Sequence, residues 1–382
     1  MKTFDFLVIG AGSIGVPTAF ELARRGATVG IIEQHPSFGR GQNRAAIGGI
    51  RATHSDPAKI RIVGRSLEIF RNFESEHGFD VDWTQGGYLY PVYSEDKEAT
   101  LRNLLAIQKG YGLDIDWISP DEVHNLVPGI RRDNLRGGTF SPGDGSASPL
   151  KTSDAYFCLA RRAGAQFFFS EPVIGMKVES NRICEVRTAR GSYAAGTVIL
   201  AAGADAHAVG MMAGVDLPVS PDCHEAGVTE PVQPFFKPMV VDIEPDGNSL
   251  NYYFYQNKEG QVVFCITPRP SILGSDTDNT STFLPQVVNR MVYLYPRLRH
   301  LRIRRTWRGL YPQTPDGFPI VGRVREVENL TLAVGMCGQG YMLGPGLGEM
   351  IADIAINGSN QYDDILEMLT LYRKFSGDEV LR

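Results

Sequence analysis

The stretch from residue 4 to residue 33 constrains this chain more than any other. Residues 4–9 (FDFLVI) form an apolar run rich enough in β-branched and aromatic side chains to predict a buried strand. Gly10, Gly12 and Gly15 follow in a GxGxxG turn. A predicted helix covers 13–25, Gly26 ends it, and a second strand, 28–32, leads to Glu33. Each part has a physical task in gripping a dinucleotide. Gly10 turns the chain tightly off the strand. Gly12 lets the backbone approach a pyrophosphate, and Gly15 lets the helix pack close to the sheet. The free N–H groups at the helix start, around Ser13 and Ile14, face the phosphates. Glu33, with Gln34 beside it, is placed to meet a ribose diol. Pro17 falls in the first helical turn, where a missing N–H is tolerated.

The rest of the composition narrows the partners. The chain has 382 residues, long enough for two domains with sizeable cores. Its 38 basic and 43 acidic residues leave a formal charge of −5, which gives no support for nucleic-acid binding. No apolar run reaches the roughly 18 residues of a membrane span, and the N-terminus lacks a signal layout, so the expectation is a cytoplasmic protein without a transmembrane segment. Five scattered cysteines without a CxxC, and seven dispersed histidines, predict neither disulfides nor a metal site.

Along the chain, residues 35–49 form a polar, glycine-rich loop too long for a mere turn, which predicts a ligand beside it. Helices are expected at 57–77, 99–111 and 152–163, and strands around Gly86-Gly87 and at 166–169, 172–178 and 192–200. From 216 to 301 the pattern changes to β-like runs (239–243, 251–255, 261–267) separated by prolines and aromatics. The fold class predicted is α/β: a discontinuous Rossmann-like dinucleotide-binding domain (1–80, 143–215 and 305–382) with an inserted α+β, sheet-rich substrate domain (81–142 and 216–304).

The C-terminal part carries a second constellation. Residues 305–309 (RTWRG) precede 314–322 (TPDGFPIVG), a strand at 330–334 and the turn 335–345 (GMCGQGYMLGP). A helix then follows from about 346 to 357, with Gly358 as its C-cap. A second glycine turn opening a second helix offers N–H groups to a flavin ring, where negative charge builds up on reduction. A packing turn without a ligand is the other reading of this segment alone.

Together, the GxGxxG–Glu33 opening, the Gly86-Gly87-Tyr88 strand and the two C-terminal motifs resemble the D-amino-acid oxidase superfamily of flavoproteins. The likeness is greatest to its sarcosine oxidase β-subunit branch, including the β subunits of dye-linked L-proline dehydrogenases, and it covers essentially the whole chain. It implies FAD held non-covalently, with FMN at a subunit interface a further option. Residue by residue, it places Gly10, Gly12, Gly15 and Glu33 on the pyrophosphate and ribose. Asn43 and Arg44 lie beside flavin and phosphates, with Gly48 and Gly49 near the ring. Val173 meets the adenine, and Ala202 and Gly203 pass over the adenosine. Gly338, Gln339, Gly340, Tyr341 and Met342 line the pyrimidine side of the ring, and Arg51 matches an arginine that pairs with the substrate carboxylate.

Departures from the family's pattern are informative. Gln339 stands where a histidine is frequent, and Met342 where monomeric oxidases carry a lysine. Gly309 occupies the position at which those oxidases tether flavin through a cysteine. A lysine that serves oxygen activation aligns with Val262. The histidine that anchors FMN in heterotetrameric relatives is missing near Ser148-Pro149-Leu150.

The resemblance implies oxidation of the C–N bond of a small, secondary α-amino acid such as proline, hydroxyproline or sarcosine, by hydride transfer to the flavin, as the catalytic subunit of a dehydrogenase with an unknown electron acceptor and partner subunits. Arg51, Tyr253 and Gln339 are the catalytic candidates, with His54 and His224 as titrating groups. Arg51 as a structural ion pair or flavin contact stays open, as does Tyr253 as a core residue alongside Tyr255. A peroxide-forming oxidase and a non-catalytic FAD-bearing subunit are the competing readings.

Overall fold

A computed structural model describes every residue except 359, 378 and 382, and at 360 the backbone only. The opening strand, Lys2–Ile9, lies at the centre of the first of two large sheets, between the strands Val29–Glu33 and Ser192–Leu200, both parallel to it. The sheet continues outward through Gln166–Phe169 on one side and through Leu330–Val334 and Ile320–Arg323 on the other. An antiparallel arm, Val173–Glu179 and Arg182–Thr188, hangs from the strand Ser192–Leu200; its second member escaped the sequence reading. Four helices pack together over this sheet: Gly15–Arg24, Pro57–His77, Pro149–Arg162 and Gly340–Asn357. Their buried side chains join those of the parallel strands in one core, as doubly covered parallel strands require.

The second sheet also has eight strands, ordered Ile303–Gln313, Ser220–Pro231, Gln261–Pro268, Ser249–Gln256, Met239–Asp242, Tyr88–Val92, Gly137–Ser141 and Asp116–Ile118. One face packs on the helix Phe283–Leu294 through Val240, Tyr252, Phe254, Val262, Phe264 and Ile266. The opposite face looks back toward the first sheet. A short pair, Gly49–Ile50 with Gly145–Ser146, lies at the junction.

Three sequence expectations need correction. The sequence pattern puts the segment from 305 onward in the dinucleotide-binding domain. The strand Ile303–Gln313 instead pairs with Ser220–Pro231 over nearly its whole length, and the first sheet resumes at Ile320. The helix expected from about 346 begins at Gly340 instead, with Pro345 inside it. A proline there removes one helical hydrogen bond, and the neighbouring Gly346 N–H is held by Ser66 Oγ at 2.9 Å, from the helix Pro57–His77. The helix predicted at 99–111 starts earlier, at Glu95, because Ser94 caps it through the Lys97 N–H. Among the described residues no helix is long and apolar enough to cross a membrane, and no cluster of side chains has the make-up of a metal site.

Candidate active site

One long cleft runs between the two sheets. Counting the part open to solvent, its empty space is about 2040 Å³. At one end lie Glu33, Gln34, Val173, Ala202 and Gly203. The glycine turn and Ser13-Ile14 come next, followed by the loop 41–49. Arg51, Tyr253 and the turn 335–342 close the far end.

The glycine turn does what its spacing predicts. Gly10 has φ +106°, and a Cβ there would meet the Ala201 carbonyl oxygen at 2.4 Å. Gly12 lines the cleft, and a Cβ on it would meet nothing within 4 Å, so its backbone faces open space. A Cβ on Gly15 would fall 1.9 Å from the Gly10 carbonyl oxygen, so Gly15 serves packing and does not line the cleft. Glu33 accepts from the Ala11 N–H through Oε2 and from the His35 N–H through Oε1, both at 2.8 Å. These bonds orient the carboxylate and leave further lone pairs for a ribose. Gln34 donates to Asp205 at 2.8 Å across the mouth of the cleft.

In the loop 35–49, Asn43 is buried and its Nδ2 donates to the Pro149 carbonyl and to Ser153 Oγ. Arg44, predicted to contact the cofactor, does not: it is exposed and absent from the cleft wall. In the 3-10 turn Gln42–Ala45, consecutive side chains point in different directions. With Asn43 turned inward, Arg44 points to solvent.

The second sheet supplies the roof. Its register sets Trp307 opposite Ala226, Ala226 opposite Cys265, Cys265 opposite Tyr253 and Tyr253 opposite Val241. Side chains alternate between the faces of a strand, so this row shares the face turned to the cleft. His224 lies opposite Gly309 on the same face, and Tyr311 follows two residues on. The lysine position of the resembling oxidases cannot be Val262, which lies on the opposite face in the core beneath Phe283–Leu294. Cys265 and Thr267 line the cleft instead.

At this end His224 and Tyr311 stack, with ring centroids 3.7 Å apart, and the Tyr311 and Tyr253 hydroxyls are 2.7 Å apart. His224 Nε2 lies 3.1 Å from Asp222 Oδ2. Burial pushes the Asp222 carboxyl up, but hydrogen bonds from His224 and the Ile272 N–H outweigh it and hold the group below the usual carboxylate range. Tyr311 and Asp222 were missed in the sequence. The alternation from Gly309 to Tyr311 was the available signal, whereas nothing local marks Asp222.

Arg51 is buried and lines the cleft. Its Nη1 donates to the Thr53 carbonyl and lies 3.2 Å from His54 Nδ1, and its Nη2 donates to the Leu381 carbonyl. A guanidinium carries five N–H donors, so some are left for an anion in the cleft. His54 is fully buried behind Arg51 and does not reach the cleft. Burial, then the charges of Arg51 and Lys59, drive its pKa well down, so it is a neutral structural histidine.

Buried polar atoms are nearly always hydrogen-bonded. Three without a protein partner belong to residues of this one cleft: Asn43 Oδ1, His224 Nδ1 and Gln339 Oε1. Gln339 precedes the N-terminus of the helix Gly340–Asn357, as Ser13 and Ile14 precede that of Gly15–Arg24. The Tyr341 hydroxyl is engaged by Thr152 Oγ1 at 2.9 Å, while Met342 lines the wall. Two helix starts, a glycine with open space before it, an acid at the ribose position and orphaned polar groups along one groove fit an extended flavin dinucleotide.

Residues 5–354 match the family model described as FAD dependent oxidoreductase. The chain belongs to that family and is an FAD-dependent oxidoreductase. Mitochondrial sarcosine dehydrogenase of Homo sapiens is 26% identical over 95% of this chain, which spans only 40% of that relative's length. The sarcosine oxidase subunit beta of Arthrobacter sp is 24% identical, with 93% of this chain and 88% of the relative covered. Among solved structures, L-proline dehydrogenase from P. horikoshii superposes with a TM-score of 0.91 at 31% identity, covering 97% of this chain and 98% of the other.

Proposed function

We propose that this protein oxidises the C–N bond of a small, secondary α-amino acid, of the kind represented by proline, hydroxyproline and sarcosine, and does so as a dehydrogenase. The observation that carries the reading is the end of the cleft. One arginine, Arg51, faces a roof of His224, Tyr253 and Tyr311 in a space otherwise walled by Tyr88, Met239, Val241 and Cys265. A carboxylate, an amine and a compact apolar ring or methyl group are what such a wall accepts. The activities for which the sarcosine and proline relatives are named agree with that shape.

Bound FAD supplies the two-electron acceptor for hydride from a carbon bonded to the substrate's nitrogen. The chain's own groups do the rest. Arg51 binds the carboxylate and orients that C–H bond. With Nε2–H directed at Asp222, His224 keeps Nδ1, a buried atom without a protein partner, as the acceptor that takes the ammonium proton so that the amine lone pair can form the imine. Tyr311, its hydroxyl braced by that of Tyr253, fixes the His224 ring by stacking. Gln339, Asn43, the glycine turn and Glu33 hold the cofactor. Attachment is non-covalent in this reading: Gly309 has no side chain, and a Cβ there would meet Ala45 Cβ at 2.5 Å.

No lysine lines the cleft, which favours a dehydrogenase over the peroxide-forming oxidase. The relative named as a subunit beta supports partner subunits, and FMN between subunits belongs to the same proposal.

The test is anaerobic spectrophotometry of the purified holoprotein with L-proline, hydroxyproline, sarcosine, glycine and D-amino acids. Rapid bleaching of the oxidised-flavin band by a secondary amino acid is expected, with little peroxide formed in air. Bleaching by primary D-amino acids alone overturns the substrate class, high peroxide yield overturns the dehydrogenase, and no bleaching at all favours a non-catalytic FAD-bearing subunit.

A further inference from the structure

The segment 297–305 holds five arginines in nine residues (Arg297, Arg299, Arg302, Arg304 and Arg305) on a chain whose net charge is −5. All five are exposed, as is His300 among them. Elsewhere many arginines pair with carboxylates, and Arg308, just beyond, is held by Asp276. Among the described residues no carboxylate lies within ion-pair distance of these five. Glu230, across the strand pair, accepts from the Arg302 backbone N–H.

Arg304 and Arg305 sit on the outermost strand of the second sheet, Ile303–Gln313, whose outer edge no other strand covers among the described residues, and the other three lie in the turn and loop that lead into it. The same strand leads straight to the cleft. Arg305, Trp307 and Gly309 share one face. The Arg305 guanidinium lies 5.5 Å from the centre of the Trp307 indole, and Trp307 Nε1–H donates to the Ala45 carbonyl at 2.9 Å. Ala45 and Gly309 are both cleft wall. From Arg305 to Gly309 is about 13 Å along the strand, comparable with the screening length of about 10 Å in 0.1 M salt.

We propose that this arginine edge is the docking surface for the protein's electron acceptor, a small redox protein with an acidic face. The proposal rests on the dehydrogenase reading above. The amino acid loses two electrons and two protons in becoming an imine; the acceptor protein is reduced by those two electrons, and the protons go to water. Uncompensated guanidinium groups beside the cofactor cleft attract an acidic carrier and orient it toward that cleft, while the rest of the acidic surface repels it.

The test separates this from the substrate assignment by reducing the holoprotein with dithionite instead of an amino acid. Reoxidation is followed by stopped flow with ferricyanide, a trianion, and with the hexaammineruthenium(III) trication, from low to high salt. On a chain of net charge −5, attraction of ferricyanide isolates the local patch. The wild-type ferricyanide rate is expected to fall about tenfold as salt rises. R302Q/R304Q/R305Q is expected to be about tenfold slower at low salt and nearly salt-independent, with the R302K/R304K/R305K protein restoring the behaviour.

A readout without flavin chemistry accompanies it. Fluorescein-labelled decaglutamate is expected to bind the wild type and to lose at least tenfold in affinity in the glutamine variant. Unchanged rates and binding in that variant would mean that the arginines only keep a sheet edge solvated. Decathymidylate binding more tightly than decaglutamate would make the face a nucleic-acid surface; either result overturns the proposal. Steered reoxidation in a protein that no amino acid bleaches would overturn the substrate reading and leave the docking surface standing.

Discussion

Arg51 is the residue on which substrate binding turns, and its surroundings decide what its loss should do. Two of its donors are fixed by the backbone carbonyls of Thr53 and Leu381, so the guanidinium is oriented before a ligand arrives. Arg51→Lys keeps the charge but loses the fork, and Arg51→Ala loses both. Replacement by alanine is expected to raise KM for the amino acid at least about 100-fold, with FAD content unchanged. Steady-state kinetics together with the flavin-to-protein absorbance ratio check this; an unchanged KM would remove Arg51 from the substrate site. His224 tests the chemistry itself. His224→Asn retains a polar group against Asp222 but removes the proposed base, so kcat is expected to drop about 100-fold while KM changes little. A KM effect alone would reduce His224 to a wall of the pocket.

At the scale of the element, the strand–turn–helix opening gives a clean contrast between two glycines. Gly12 faces open space, so Gly12→Glu fits sterically and places a carboxylate where the phosphates bind. The variant is expected to fold with the melting temperature of the cofactor-stripped wild type and to retain no FAD. Gly15→Val drives a side chain into the Gly10 carbonyl and is expected to lose about 2–4 kcal/mol of stability, seen as a lowered melting temperature even without cofactor. Equal melting temperatures for the two would contradict the packing assigned to Gly15. The same element explains why so much could be read early. Every part of it lies within thirty residues, and each glycine answers to a local steric rule. The C-terminal turn was legible for the same reason, and so were three strands of the roof, at 239–243, 251–255 and 261–267, whereas Ser220–Pro231 and Ile303–Gln313, which carry His224 and Tyr311, were not. Pairing order was not legible, because which strand neighbours Ile303–Gln313 depends on contacts some eighty residues away. Val262 and Arg44 were misplaced by one-residue errors of facing. In a strand one position reverses the side chain, and in a tight turn it rotates the side chain to solvent.

At the scale of the whole molecule, the chain returns near its end to the site its first third builds. Glu379 is buried beside Lys59, at 3.0 Å, and accepts from the Ser55 hydroxyl and N–H. Two residues later the Leu381 carbonyl reaches Arg51, and the Leu381 side chain joins Tyr88, Tyr90 and Met239 in the core beneath the roof. Burial raises the Glu379 carboxyl, but the charges of Lys59 and Arg51 and the hydrogen bond from Ser55 hold it far below the ordinary value. A depressed native pKa means that protons bind the unfolded chain more readily, so this carboxylate stabilises the fold fully above its unfolded pKa of about 4.3 and progressively less as the medium becomes more acid. Glu379→Gln leaves Lys59 buried without its counter-charge, a change that costs about 3–5 kcal/mol in comparable buried pairs. The variant is therefore expected to melt several degrees below the wild type between pH 5 and pH 7, with the gap narrowing below about pH 4. Scanning calorimetry across that range decides the matter, since a gap that widens in acid would mean that Glu379 is protonated in the native protein. Because the same segment braces Arg51, the variant should also bind the amino acid more weakly at neutral pH while keeping its FAD. That couples the last described turns of the chain to substrate affinity through one carbonyl.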